Sequence, residues 1–270
     1  MDVASGATSE GGKAPRALLA VFAHPDDESY LAGGTLAHYA GQGHQVTLLC
    51  ATLGEAGDLA DPALATRETL PAIREAELRA AAACLGLAAV HLLGYQDGTL
   101  ASVPFPEGVE RVAEAMAGAR PAVVVTFGPE GVYGHPDHVA VHRWTKEAFH
   151  VYRAARPGPE PRLYYVAPPR SWYRAVSERT RRRGVADRYG PRLDVLGVPD
   201  ELVTTRVPVR EQAAARLSAI RAHRSQLFAD HPFVTLPDAD LHELLGTEYF
   251  TRAWPPAGPG PQLEEGLFPA

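Results

Sequence analysis

The stretch "VFAHPDDESYLAGG" (residues 21–34) passes from apolar Val21 and Phe22 directly into His24, Asp26, Asp27 and Glu28. Carboxylates crowded into a partly desolvated cleft repel one another, so three of them beside an imidazole at the end of a strand ask for a compensating charge. Upstream, "ALLAVFA" (17–23) is an apolar run of strand length, and downstream "GGTLAHYAGQGH" (33–44) has helical spacing with a glycine stop. The alternation continues through "QVTLLCAT" (45–52, strand), residues 66–86 (helix), "AVHLLG" (89–94, strand), 107–119 (helix) and "AVVVTFG" (122–128, strand). Strands apolar throughout and separated by helices predict an α/β protein, a three-layer Rossmann-like fold with a mostly parallel central sheet.

Ligands bind such sheets outside the carboxyl ends of the strands. The opening stretch sits at one of those ends, and "GPEGVYGHPDH" (128–138) sits at another, ahead of a helix over 139–153. Past residue 154 the pattern weakens. Strands are expected at 163–167 and 202–209 and a helix over 210–227, and the Arg-rich stretch 168–200 matches no period. Residues 1–15 are rich in Gly and Ser and read as a disordered tail, 16–254 as a single domain, and 255–270 as a C-terminal tail.

Composition narrows the function. With 270 residues, 46% of them hydrophobic, the chain can bury a sizeable core. A formal charge of −6 offers a phosphate backbone no general attraction, so nucleic acid is not an expected partner. No apolar run has the length of a membrane span and the N-terminus lacks a signal-peptide core, which predicts a soluble, cytoplasmic protein. Two cysteines, Cys50 and Cys84, make neither a disulfide framework nor a thiolate metal site. No Gly-x-Ser-x-Gly elbow is present, and the dinucleotide glycine fingerprint is missing after the first strand.

His24 and Asp27 are three residues apart, as are His135 and His138. A catalytic zinc site needs about three N or O ligands and an open position, and imidazoles argue against magnesium. Either loop alone has an ordinary explanation: Asp26 or Asp27 as a helix N-cap, "HPDH" as a turn built on Pro136 and Asp137. Together, at the ends of two parallel strands, they point to a divalent ion. Spacing does not decide between Asp26 and Asp27, or between His135 and His138, as ligands.

"AHPDDE" followed by "GHPDH" about a hundred residues later resembles the LmbE/PIG-L superfamily of zinc-dependent de-N-acetylases. "TLGEAG" (52–57), "REAELRAAAACLG" (74–86), "GYQDG" (94–98), "AHRSQ" (222–226) and "EYF" (248–250) add supporting similarity. The resemblance implies one zinc ion per chain held by His24, Asp27 and His138, with Asp26 as general base. It implies His135 as protonated electrophile and acid, Asp137 orienting a histidine and Tyr133 assisting. It places Arg74, Asp97 and Glu55 at the substrate. On spacing alone, Arg74 reads equally as a solvated helix residue paired with Glu75 or Glu77. The implied activity is removal of an N-acetyl group from an N-acetylglucosamine-containing small molecule, such as an intermediate of bacillithiol- or mycothiol-type thiol biosynthesis, by an enzyme that can be a homo-oligomer. A thiol-conjugate amidase would use the same machinery, and a metal-stabilised sugar-binding module would need no spare acid and base beside its ligands. The Arg-rich run 178–188 reads as a solvated face or as a partner for an anionic aglycone, and "SWYR" (171–174) as packing or as a sugar-stacking patch. His38, His44, His91 and His223 show no clustered spacing and read as structural.

Overall fold

A computed structural model describes residues 16–257 and 263–269; the expected N-terminal tail, 1–15, and part of the expected C-terminal one lie outside the described residues. Strands β1 (Ala17–Phe22), β2 (Gln45–Cys50), β3 (Ala89–Leu92), β4 (Val123–Phe127), β5 (Arg162–Val166), β6 (Thr205–Pro208), β7 (Thr247–Trp254) and β8 (Glu264–Glu265) form one sheet. Its order is β3-β2-β1-β4-β5-β7-β6-β8, and β7 alone runs antiparallel to its neighbours. Helices α1 (Asp27–Gly41), α2 (Leu70–Leu85), α3 (Phe105–Ala119) and α5 (Pro136–Ala155) alternate with the parallel strands; a short irregular turn, α4 (Gly131–Gly134), precedes the last of them. The expected parallel βα alternation is present, and both faces of the central strands are buried, as continuous apolar runs require.

The order reverses between β1 and β4, so the loops that follow these two strands leave in opposite directions and open a crevice. Their ladder runs as far as Ala20 opposite Val125. Just beyond it Thr126 Oγ1 donates to Val21 O at 2.9 Å, and the rings of Phe22 and Phe127 meet edge to face at 5.1 Å. The floor of the crevice is therefore a packed aromatic pair, and the histidine-bearing loops rise directly from it.

Four expectations change. Helix α1 begins at Asp27, not Gly33, because Asp27 and Glu28 suit a helix N-terminus and the glycine pair is tolerated inside the helix. A Cβ on Gly34 would lie 2.6 Å from Val209 Cγ2, so the glycine permits close approach of the element before α7 (Ala213–Ala222). The unplaced stretch contains α6 (Arg170–Arg183), whose inward residues Tyr173, Val176, Ser177 and Thr180 keep helical spacing; two of the four are polar, which hides the period. Strand β7 is hidden in the same way: its alternation buries Glu248 beside Phe250, and Glu248 pairs with Arg216 at 3.0 Å. The expected C-terminal tail is in part a sheet edge: β8 pairs with β6, Leu267 is fully buried, and its N–H donates to Tyr39 Oη at 2.6 Å. Among the described residues no helix is long and apolar enough to cross a membrane.

Candidate metal centre and active site

The loop after β1 and the first turn of α5 bring the two histidine segments into contact. His24 Nδ1 lies 3.2 Å from His138 Nε2; Asp27 reaches both, Oδ2 at 3.5 Å from His24 Nδ1 and Oδ1 at 3.3 Å from His138 Nε2. Ligands about 2.0–2.1 Å from a tetrahedral zinc stand roughly 3.3 Å from one another, so these separations fit such an ion.

The outer nitrogens determine what the inner ones offer. His24 Nε2 faces carboxylates, Asp97 Oδ1 at 3.0 Å and Asp137 Oδ2 at 3.4 Å, and His138 Nδ1 faces Gly131 O at 3.2 Å. Carboxylates and carbonyls only accept hydrogen bonds, so a neutral ring carries its proton on the outer nitrogen in both histidines. Two lone pairs and a carboxylate then converge on one point, and that point requires a cation. Without a metal a proton serves: burial works against charging His24, but hydrogen bonds to Asp137, Asp27 and Asp97 outweigh it and raise its pKa well above the usual value. Burial likewise works against an Asp27 carboxylate, and His138 and His24 outweigh it and hold its pKa well below the usual range. His24, His135 and His138 form a second possible donor set, and His24, Asp97 and Asp137 a third.

Asp26 stands beside this cluster with φ 118° and ψ −31°, a backbone conformation that costs a non-glycine residue about 1–3 kcal/mol and persists only where its surroundings impose it. Its Oδ2 accepts from Arg74 Nη2 at 3.1 Å. Burial raises its pKa to about 6, with the Arg74 guanidinium opposing the rise. Arg74 is only 3% exposed; it also donates to Gly54 O and Pro25 O, while Glu75 pairs with Arg79 and Glu77 with Ser225. The solvated-helix reading of Arg74 therefore does not hold. Gly54 makes room for it: the glycine has φ 67°, and a Cβ there would fall 2.0 Å from Arg74 Nη1.

A cavity of about 250 Å³ opens over these groups, lined by His24, Asp26, Arg74, Tyr133, His135 and Gln226 among others. His135 caps α5, its Nδ1 accepting from Asp137 N at 3.2 Å, and a ring that accepts at Nδ1 carries its proton on Nε2. Burial and the neighbouring His138 and His24 lower its pKa, which favours a neutral imidazole with one N–H to offer over the protonated one that the resemblance implies. Tyr133 is 45% exposed at the mouth, its ring 5.5 Å from that of His138, with the Arg192 guanidinium 5.3 Å above it. Val132 before it has φ 67°, strained for a β-branched residue.

Two expected substrate contacts face elsewhere. Asp97 borders the cavity, but its Oδ1 is turned to His24 and its Oδ2 accepts from Ala56 N at 3.0 Å. Glu55 lies behind it, Oε1 accepting from Asp97 N at 2.9 Å, and does not line the cavity. Asp137, expected to orient a histidine, faces His24 and accepts from Gly98 N at 2.7 Å and Leu100 N at 3.1 Å, tying the loop after β3 to α5. The Arg-rich run is occupied by the protein's own carboxylates: Arg179 and Arg183 hold Asp240, Arg181 holds Asp187, Arg182 holds Glu178, and Arg188 holds Asp230. Trp172 and Tyr173 pack; Trp172 Nε1 donates to Leu244 O at 2.8 Å. Gln226, in the stretch "AHRSQ", is a cavity residue that spacing does not single out, because a lone glutamine carries no pattern.

Fold and cluster define an α/β protein with a candidate metal centre at the switch point of its sheet. Residues 19–149 match the family model described as PIG-L, GlcNAc-PI de-N-acetylase. A 1D-myo-inositol 2-acetamido-2-deoxy-alpha-D-glucopyranoside deacetylase from Thermobispora bispora is 35% identical over 279 residues, covering 93% of this chain and 91% of its own. One of the same name from Geodermatophilus obscurus is 36% identical, covering 94% and 97%. The crystal structure of the conserved protein TT1542 from Thermus thermophilus superposes with a TM-score of 0.60 at 26% identity, covering 89% of this chain and 96% of that one. The chain belongs to the PIG-L/LmbE family of deacetylases.

Proposed function

We propose that this protein removes the acetyl group from an N-acetylglucosamine-containing small molecule, with one zinc ion per chain held by His24, Asp27 and His138. The observation that carries the reading is the convergence of two imidazole lone pairs and a carboxylate within 3.2–3.5 Å, beside a carboxylate that is not needed as a ligand. The relatives named above as acetamido-sugar deacetylases support the substrate class.

When bound, the ion supplies a Lewis acid that acidifies water and polarises a carbonyl oxygen. Asp26 accepts the proton of the attacking water and later returns it to the departing amine; a carboxylate whose pKa is raised towards 6 suits both tasks better than an ordinary one. His135 donates from Nε2 to the acetamide oxygen as charge develops there, and does so as a neutral donor. Tyr133 remains a hydroxyl donor at the mouth, because the partial desolvation of its ring and the Asp27 and Asp26 carboxylates all oppose its ionisation. Arg74 holds Asp26 in place and keeps its charge from being lost altogether.

The test of class and substrate is acetate release from a panel of N-acetylglucosamine conjugates, with and without a chelator. Turnover that chelation abolishes and zinc restores is expected. Turnover only on conjugates with a bulky acyl group would make the protein an amidase of larger amides. Turnover indifferent to chelation would refute the metal reading.

Asp97 provides a second check. If its carboxylate orients His24, Asp97→Asn weakens zinc binding about 10–100-fold, the usual effect of losing the partner of a ligating histidine. Zinc titration of the apoprotein measures this; unchanged metal affinity with a raised KM would return Asp97 to the substrate.

A further inference from the structure

Asp26 is strained, and its hydrogen bonds name what holds it. Its peptide N–H donates to Glu28 Oε2 at 3.0 Å, and its carbonyl accepts from Ser29 N and Tyr30 N, both at 3.0 Å. The other oxygen of Glu28, Oε1, accepts from Ser29 Oγ at 2.5 Å and faces His223 Nε2 at 2.8 Å. Glu28 and His223 are both fully buried and stand 195 positions apart in the chain. His223 Nδ1 meets no partner among the described residues, so the ring is oriented through Nε2 alone.

We propose that Glu28 and His223 form a positioning pair for Asp26: Glu28 clamps the Asp26 peptide in its strained conformation, and His223 fixes the carboxylate that does the clamping. The inference rests on the reading of Asp26 as the base. A buried ion pair serving packing alone would need no bond to that peptide, yet one whole carboxylate oxygen is committed to the single residue with φ 118°. The segment that carries His223 braces the other side of the base as well. Ser225 donates to Glu77 from N at 2.8 Å and from Oγ at 2.6 Å, and Glu77 lies on α2, the helix that carries Arg74. The stretch "AHRSQ" thus ties together the loop bearing Asp26, the helix bearing its arginine, and the cavity wall at Gln226.

The test compares Glu28→Gln, which keeps an acceptor for the Asp26 N–H, with Glu28→Met, which does not, and His223→Gln, which keeps a donor, with His223→Leu, which does not. Zinc content, kcat, KM and the hydrogen exchange of the Asp26 amide are measured on each, with Asp26→Asn as control. The Met and Leu variants are expected to keep zinc and a KM within about threefold, to lose kcat about 100-fold, the effect of misplacing a reacting group by about an ångström, and to exchange the Asp26 amide about tenfold faster or more. The two Gln variants stay within about tenfold of the parent in kcat and keep the amide protected. Should Glu28→Met not fold, the His223 pair carries the same comparison. Equal kcat in His223→Leu and His223→Gln, or an unchanged amide in the impaired variants, overturns the inference while leaving an inactive Asp26→Asn and the base assignment intact. An Asp26→Asn variant of normal kcat overturns both.

Discussion

Replacing Asp26 by Asn leaves zinc bound and lowers kcat by about a hundred- to ten-thousand-fold, the range spanned by a general acid–base group. The amide keeps the shape of the side chain and an oxygen for Arg74 Nη2, so the loop and the cluster below it are not disturbed. What is lost is the ability to take up a proton. The pH dependence follows from the same residue. Burial raises the Asp26 pKa to about 6, so the working carboxylate form is depleted as pH falls through that value. A bound cation favours the charged form and moves this acid limb downward. The parent enzyme is therefore expected to lose rate at or below pH 6, and Asp26→Asn to show residual activity without that limb. Steady-state kinetics across pH 4.5–8, with metal content measured on the same samples, checks both; a variant of normal rate would refute the assignment.

His24→Ala is expected to abolish metal binding and turnover together. His24 is the one residue that joins every part of the cluster: Nδ1 faces His138 and Asp27, and Nε2 faces Asp97 and Asp137. Its removal leaves three buried carboxylates without the imidazole, although Asp27 keeps His138 and the peptide N–H of residue 24, and backbone donors at Ala56, Gly98 and Leu100 still reach Asp97 and Asp137. The fold survives on those donors, and the cation site does not. Equilibrium dialysis with zinc and circular dichroism distinguish this result from simple unfolding; a folded His24→Ala that still binds zinc tightly would contradict the ligand set.

The parallel half of the fold is legible in the sequence because its strands are apolar on both faces and its helices are separated by clear stops. The two histidine loops are legible for the same reason, since each follows the carboxyl end of a parallel strand, which places residues 24–27 and 135–138 on one rim before any distance is known. Elements built on buried polar pairs are not. Strand β7 carries Glu248 inward to Arg216, and α6 presents Ser177 and Thr180 to the interior, so a hydrophobic period is interrupted in each. Roles within the site diverge where a second partner decides them. Asp97 and Arg74 are both short-motif residues, yet only the fold shows that one turns to His24 and the other is buried against Asp26. His135 reads as charged from its role alone, whereas burial beside two other imidazoles lowers its pKa and the Asp137 N–H at its Nδ1 suits a neutral ring. His223 has no clustered neighbour in sequence because its partner is 195 positions away.

The most direct test is a crystal of the zinc-loaded protein with anomalous data collected on both sides of the zinc absorption edge. The account predicts one anomalous peak per chain, among His24 Nδ1, Asp27 and His138 Nε2, with the Asp26 carboxylate outside the coordination shell. A peak coordinated by Asp26, a peak among Asp97, Asp137 and His24 Nε2, or no ordered zinc at this rim would contradict it.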